Sequence, residues 1–352
     1  MSAGATDDSL HIAGHSIRRG EFRTLKIPVG HMITHQEVEL VLHVRRGRRA
    51  GPRLLVTAAL HGDEVNGVEV VRRLLGRKMK ALAGDLILIP VANLPAFLAR
   101  SRYLPDRRDL NRLFPGSASG STGARLARVL SEHIATHCTH GIDLHTGAEN
   151  RPNLPQIRFS GDTPGEREMA IAFGAPVMIR SKVREGSFRD VFSEQGKPQI
   201  LFEGGEAQVL EPASIQLALN GVLATMRHLG MLPARKQVFQ RTTPVECHRT
   251  WWERASKGGL FLPAAHLAAV VAKGDSLGEI VDPFGAGATP VRAAHSGVII
   301  GRAKNAVVDQ GDGVVHLGSA KSPDEVLVNV RAAERNLEHR LDHPVFDDYL
   351  ED

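Results

Sequence analysis

The chain has 352 residues, 42% hydrophobic and 24% charged, with two cysteines. At about 150 residues per domain this suggests two domains, and such a composition excludes disordered, collagen-like and disulfide-framework proteins. Aromatics are only 5%, which argues against stacking platforms for single-stranded nucleic acid, and the 44 basic and 39 acidic residues leave a net charge of +5 that by itself implies no nucleic-acid partner.

The N-terminus has no basic stretch leading into an apolar run, so no signal peptide is expected. No apolar run approaches the roughly 18 residues of a membrane span. Cys138 and Cys247 have no CxxC partner and read as reduced residues of a cytoplasmic protein. The densest basic run, Arg45-Arg46-Gly47-Arg48-Arg49, lies between two apolar stretches and reads as a solvated hairpin turn.

From about Leu40 to Leu232 short apolar runs alternate with helical ones. Leu54–Leu60 reads as a buried strand and Asn66–Leu82 as a helix, with Val68, Val71, Leu74, Leu75 and Met79 at helical spacing. Asp85–Val91 is a second strand. Thr122–His137 is helical, Gly141–His145 and Pro198–Glu203 are strands, and Ser214–Leu229 is a helix. The alternation predicts an α/β fold, a three-layer domain with a mixed, largely parallel sheet. After about Pro233 the periodicity fades, and Val271-Ala-Lys-Gly274-Asp275-Ser-Leu277 echoes Val308-Asp-Gln-Gly311-Asp312-Gly-Val314. Expected domains are a catalytic one over 1–235 with N-terminal strands, a smaller all-β, barrel-like one over 236–325, and a charged tail over 326–352. The β part resembles the biotinyl/lipoyl-like barrel in shape only. A carrier domain needs a Lys at a hairpin tip, and the sole Met-Lys, Met79-Lys80, falls at the end of the helix predicted from Asn66.

Four segments carry chemistry. The first strand ends in His61-Gly62-Asp63-Glu64, an imidazole and a carboxylate that can turn to one ion. Gly141-Ile-Asp143-Leu-His145-Thr-Gly147 delivers a second His to a glycine turn at the same sheet edge, where open α/β sheets bind ligands. Asp143, two residues earlier on the same strand face, suits the orienting of that His. Gln199-Ile-Leu-Phe-Glu203-Gly204-Gly205-Glu206 brings a further carboxylate. Two His and one Glu leave a fourth zinc position for water, and Glu203 is the candidate base, with Glu206 the alternative. In the loop Arg102–Gly116, an Asn-Arg pair, Asn111-Arg112, could grip a substrate carboxylate, and another Arg could stabilise an oxyanion.

Together these segments resemble the succinylglutamate desuccinylase/aspartoacylase family of zinc carboxypeptidase-like hydrolases. The resemblance covers roughly 50–210 and keeps the order His-Gly-Asp-Glu, Asp-Leu-Asn-Arg-x-Phe-Pro-Gly, Asp-Leu-His, then a strand-borne Glu. It implies one Zn2+ per chain held by His61, Glu64 and His145. It also implies Glu203 as base and later acid, and Asn111 and Arg112 on the substrate carboxylate. Arg102 is the best match for the oxyanion Arg, with Arg107 and Arg108 as alternatives. The implied enzyme is a metallohydrolase of carbon-nitrogen amide bonds, an N-acyl amino acid deacylase with a small anionic acylated substrate. A β-rich second domain also fits the family, in which it can narrow the cleft. Arg151–Arg158 is a candidate acyl-pocket segment, and Arg180, Arg184 or Arg189 could also reach the substrate. A zinc carboxypeptidase acting on short peptides is the nearest alternative, and a binding protein with a relic site is the more distant one. No nucleic-acid or membrane partner is expected, and homo-oligomerisation is left open.

Overall fold

A computed structural model of the protein describes residues 9–234 and 243–342. Its spine is one twelve-stranded sheet. At the centre, Arg49–Ala58, His140–Gly147 and Gln199–Glu206 run parallel, with Thr57 opposite Asp143 and His145 opposite Glu203. Ala83–Ile89 joins in parallel beside Arg49–Ala58, and Glu37–Arg46 and Phe22–His31 follow as antiparallel outer strands. On the other side Asn153–Phe159 pairs antiparallel with Gln199–Glu206, and Val177–Arg180 pairs parallel with it.

Helices cover both faces because the central strands are apolar on both. Helices Asn66–Leu75, Glu166–Phe173 and Pro212–His228 set Val70, Leu74, Phe173 and Val222 against Leu54, Val56, Ile142 and Ile200. The opposite face is covered by the helical stretch Thr122–His137 and by Phe188–Glu194, which contribute Leu126, Leu130, Phe188 and Phe192. The Thr122–His137 stretch is α-helical to Arg128 and then widens to a π-helical turn over Val129–Ile134. The helix predicted over Asn66–Leu82 stops at Leu75, where Gly76 follows as C-cap. Glycine is among the weakest helix formers, and Met79-Lys80 therefore lies in the turn beyond the helix rather than on it.

One sequence expectation is corrected here. The turn at Gly47 is not a hairpin, because strand Ala83–Ile89 lies between the strands it joins. Nor is Arg46 solvated: its Nε sits 3.1 Å from Asp85, with both side chains almost wholly buried. The charged tail expected from residue 326 begins inside a helix, Pro323–Asp342. Val326 is fully buried there, and Asn329 donates to the carbonyls of Pro176 and Thr243 at 3.3 and 2.8 Å. The last ten positions of that tail, 343–352, lie outside the described residues.

The C-terminal region does not begin a separate sheet. Strand Val245–Arg254 pairs parallel with Val177–Arg180 and then antiparallel with Gly313–Ala320, so the central sheet runs on into it. A second, four-stranded sheet covers this extension, and Phe261, Leu277, Ile280, Ile299, Val314 and Leu317 fill the core between the two. The internal repeat is structural. At Gly274 and Gly311 φ is +93° and +94°. Asp275 accepts from the Ala272 N–H at 2.8 Å, and Asp312 accepts from the Asp309 N–H at 3.0 Å.

Candidate active site

The parallel centre of the sheet carries the candidate site at the carboxyl ends of its strands. His61 follows Ala58 by one tight turn, in which Ala59 has a φ of +50°. Gly62 is needed because a Cβ there would lie 2.0 Å from the Ala96 backbone. The turn leads into helix Asn66–Leu75, which Asn66 ties to the third strand by donating to the Gly204 carbonyl at 3.1 Å. Glu64 is thereby placed between the two histidines.

His61, Glu64 and His145 are all buried, and one ligand atom from each lies within 4.8 Å of the others. Glu64 Oε1 is 2.7 Å from His61 Nδ1, Glu64 Oε2 is 2.7 Å from His145 Nδ1, and the two Nδ1 atoms are 3.2 Å apart. Each imidazole has its other nitrogen on a carboxylate. His145 Nε2 lies 2.8 Å from Asp143, which Thr57 Oγ1 holds by donating at 2.6 Å. His61 Nε2 lies 3.2 Å from Asp109. Such carboxylates fix ring orientation and tautomer in metal sites. The donor set, two neutral-capable imidazoles and a carboxylate converging on one point, fits a divalent metal ion.

The electrostatics agree. Burial alone would lower the His145 pKa, but Asp143 and Glu64 outweigh it and raise it well above its ordinary value. His61 is raised for the same reason against the same burial, by Glu64 and Asp109. Burial works against the Glu64 carboxylate, yet the two imidazoles hold it well below the usual carboxylate range.

Arg102 reaches this centre. One guanidinium nitrogen lies 3.3 Å from His61 Nδ1 and 3.6 Å from Glu64, and another donates to Asp109 Oδ2 at 3.0 Å. Arg108 instead contacts Ser121 and Asp106 at the surface. Arg107 is exposed and, like Arg108, is absent from the cleft wall. Asn111 accepts the Phe188 N–H at 2.8 Å through Oδ1, which leaves its amide NH2 as the group that can donate into the cleft. Arg112 donates to the Asn111 carbonyl. Its pKa is lowered chiefly by burial, and further by the neighbouring Arg184 and Arg102, against the pull of Asp109; Arg102 and Arg112 bring two guanidinium groups to the cleft. The cavity holds about 200 Å3 and is lined by the three candidate ligands, by Arg102, Asn111 and Arg112, and by Glu203.

Glu206, the alternative base, does not line this cavity. It is buried against Lys304 Nζ at 2.5 Å. Arg180 turns to the Ser160 carbonyl and Asp162, and Arg189 to Ser181 and the Lys182 carbonyl. Two contacts escaped the sequence reading. Asn153 Nδ2 donates to Glu203 at 2.6 Å, and Arg158 pairs with the same carboxylate at 3.1 Å. Their proximity in the segment Arg151–Arg158 was the available signal, but it pointed to an acyl pocket rather than to Glu203.

Fold and site define an α/β protein with a His-Glu-His group able to hold a metal ion at its strand ends. A sequence profile described as the succinylglutamate desuccinylase/aspartoacylase catalytic domain matches residues 50–229, just over half of the chain. The chain belongs to that family. It is 28% identical over 286 residues to the N-alpha-acetyl-L-2,4-diaminobutyric acid deacetylase of Halomonas elongata, with 76% of this chain and 82% of that protein covered. Among solved structures it resembles the product-bound ectoine utilization protein EutE (DoeB) of Ruegeria pomeroyi and a succinylglutamate desuccinylase of Silicibacter sp. TM1040. Each has a TM-score of 0.77 at 26% identity, over 86% of this chain and 96% of the other. Among the described residues no helix is long and apolar enough to cross a membrane.

Proposed function

We propose that this chain is a zinc-dependent hydrolase that cleaves the amide bond of an N-acyl amino acid or a related small acylated amine. One observation carries the reading: a buried His61-Glu64-His145 group shares one small cleft with Glu203, Arg102, Asn111 and Arg112. The relatives named as a deacetylase and a desuccinylase support the same class of bond.

In this reading His61, Glu64 and His145 hold one zinc ion, with Asp143 and Asp109 fixing the imidazoles. Bound zinc supplies Lewis acidity and lowers the pKa of water. Glu203 takes a proton from the attacking water and returns it to the departing amine. Arg102 donates to the oxyanion as the carbonyl becomes tetrahedral. The Asn111 amide and the Arg112 guanidinium donate to the substrate carboxylate, whose charge the two guanidinium groups favour.

The experiment is metal analysis of the purified protein joined to a substrate panel. The panel holds N-acetyl and N-succinyl amino acids, among them N-alpha-acetyl-L-2,4-diaminobutyrate and N-succinylglutamate, and short peptides. Expected are about one zinc per chain, release of free amine from an acyl amino acid, and loss of activity on chelation with return on zinc addition. Glu203→Gln should lower kcat by about 10²–10⁴-fold with metal retained. A protein without metal whose turnover survives Glu203→Gln would sink the reading. Hydrolysis of peptides alone would make it a carboxypeptidase, and bound metal without turnover would make it a binding protein.

A further inference from the structure

Glu203 is the residue on which the proposed function turns, and both of its carboxylate oxygens are engaged. Oε2 accepts from Asn153 Nδ2 at 2.6 Å and from a terminal nitrogen of Arg158 at 3.3 Å, while Oε1 lies 3.1 Å from Arg158 Nε. The carboxylate torsion is otherwise broad and nearly free. The Asn153 bond and the Arg158 guanidinium beside it restrict that torsion.

The backbone explains how both donors reach one face. Gln156 stands opposite Glu203 and Arg158 opposite Leu201, so Arg158 is the diagonal neighbour of Glu203. Simple alternation would send Asn153, five residues from Arg158, to the other face. The register shifts by one residue between the Glu203 and Gly205 pairings, and Asn153 falls opposite Gly205. Such an irregularity re-aims a side chain.

Asn153 is in turn set by the C-terminal region. Gly301 is its register partner, and a Cβ on Gly301 would lie 2.9 Å from Asn153 Oδ1. The neighbouring chain is bracketed as well, because Lys304 N–H donates to the Asn150 carbonyl at 2.8 Å and Lys304 Nζ pairs with Glu206.

We infer that Arg158 and Asn153 are the positioning residues of Glu203, and that the C-terminal β region acts in the reaction by holding Asn153 against that carboxylate. The inference rests on Glu203 being the base. A purely structural ion pair would act on stability rather than on kcat, so the two roles separate by measurement. Arg158→Ala should lower kcat by about 10²-fold, the cost of a misplaced reacting group, while KM and metal content stay near those of the parent. Free guanidinium ion should restore part of the loss. In a Glu203→Gln background the Arg158→Ala change should cost nothing further, because the group it positions is gone. Gly301→Ala, which pushes on Asn153 from the other region, should lower kcat in the same way. Should Arg158→Ala fail to fold, Arg158→Lys, which keeps charge and loses the fork, and Gly301→Ala carry the same test. Unchanged kcat in folded variants would overturn the inference, as would a loss that persists undiminished in the Glu203→Gln background. An active Glu203→Gln enzyme would instead overturn the reading of the base itself.

Discussion

Carboxylates stand beside glycine turns in both regions of the molecule, yet they are used differently. In the α/β region Asp109 caps its own turn by accepting the Asn111 N–H at 2.9 Å and also reaches His61 across the chain, while Asp143 reaches His145 two residues along its strand. In the β region Asp275 and Asp312 fold back onto backbone N–H groups three residues away. Those two bonds close their turns and engage no site residue. A bond to an imidazole orients a ring whose other nitrogen then faces a shared centre. The same residue type therefore builds scaffold in one region and a site in the other, and the difference lies in which partner the fold brings within reach.

The largest expected effect tests whether reach, rather than charge, is what matters. Arg102→Gln should lower kcat by about 10²–10³-fold, the cost of losing one oxyanion donor, with metal content unchanged. Arg108→Gln removes an equal charge six residues away and should leave kcat as it was, since that guanidinium contacts Ser121 and Asp106. Steady-state kinetics on the best substrate of the panel decides it. Equal losses in the two variants would mean that the loop acts only through its net charge.

A second, smaller effect compares the regions directly. Asp109→Asn removes the carboxylate behind His61 and should weaken metal affinity by roughly 10–100-fold. Asp312→Asn removes a carboxylate that touches only its own turn and should leave affinity unaltered. Competition against a chelator of known strength measures both. If Asp312→Asn weakened the metal as much, the β region would be coupled to the ligands themselves and not only to Glu203.

The sequence makes some of this legible for a physical reason. His61, His145 and Glu203 each follow an apolar run and precede a glycine, a pattern that survives in one dimension because strand, ligand and turn are contiguous. Arg102 is separable from Arg107 and Arg108 only in three dimensions, where loop geometry turns one inward. Strand Asn153–Phe159 is hidden because Pro155 interrupts it, and proline is unusual inside a sheet. The face that Asn153 occupies depends on a register shift against residues about 50 positions later, which no local pattern encodes. The bond of Asp109 to His61 depends on the path of its loop. The continuous sheet is likewise a matter of long-range pairings, Val177–Arg180 with Val245–Arg254 and Gly301 with Asn153.

The last expected effect lies where the two regions meet. His316 is buried in the β region, stacked flat on Trp252 with ring centroids 4.7 Å apart. Burial, with Arg158 nearby, pushes its pKa down to about 3. In the unfolded chain an imidazole takes up its proton near pH 6.5. Between about pH 6.5 and about pH 3 the unfolded state therefore binds a proton that the folded state refuses, and stability falls as pH falls through that window, by about 1.4 kcal/mol per pH unit. Above the window the residue is neutral in both states and contributes no slope. His316→Phe keeps a flat ring on Trp252 and removes the titration. Urea unfolding of parent and variant, both metal-free, should give curves whose difference grows on acidification across this range. The raised histidines His61 and His145 titrate in the opposite sense, but they are common to both proteins and cancel in the difference. Parallel stability curves would show that His316 takes up its proton in the folded protein, and that the junction beside Arg158 admits a second positive charge.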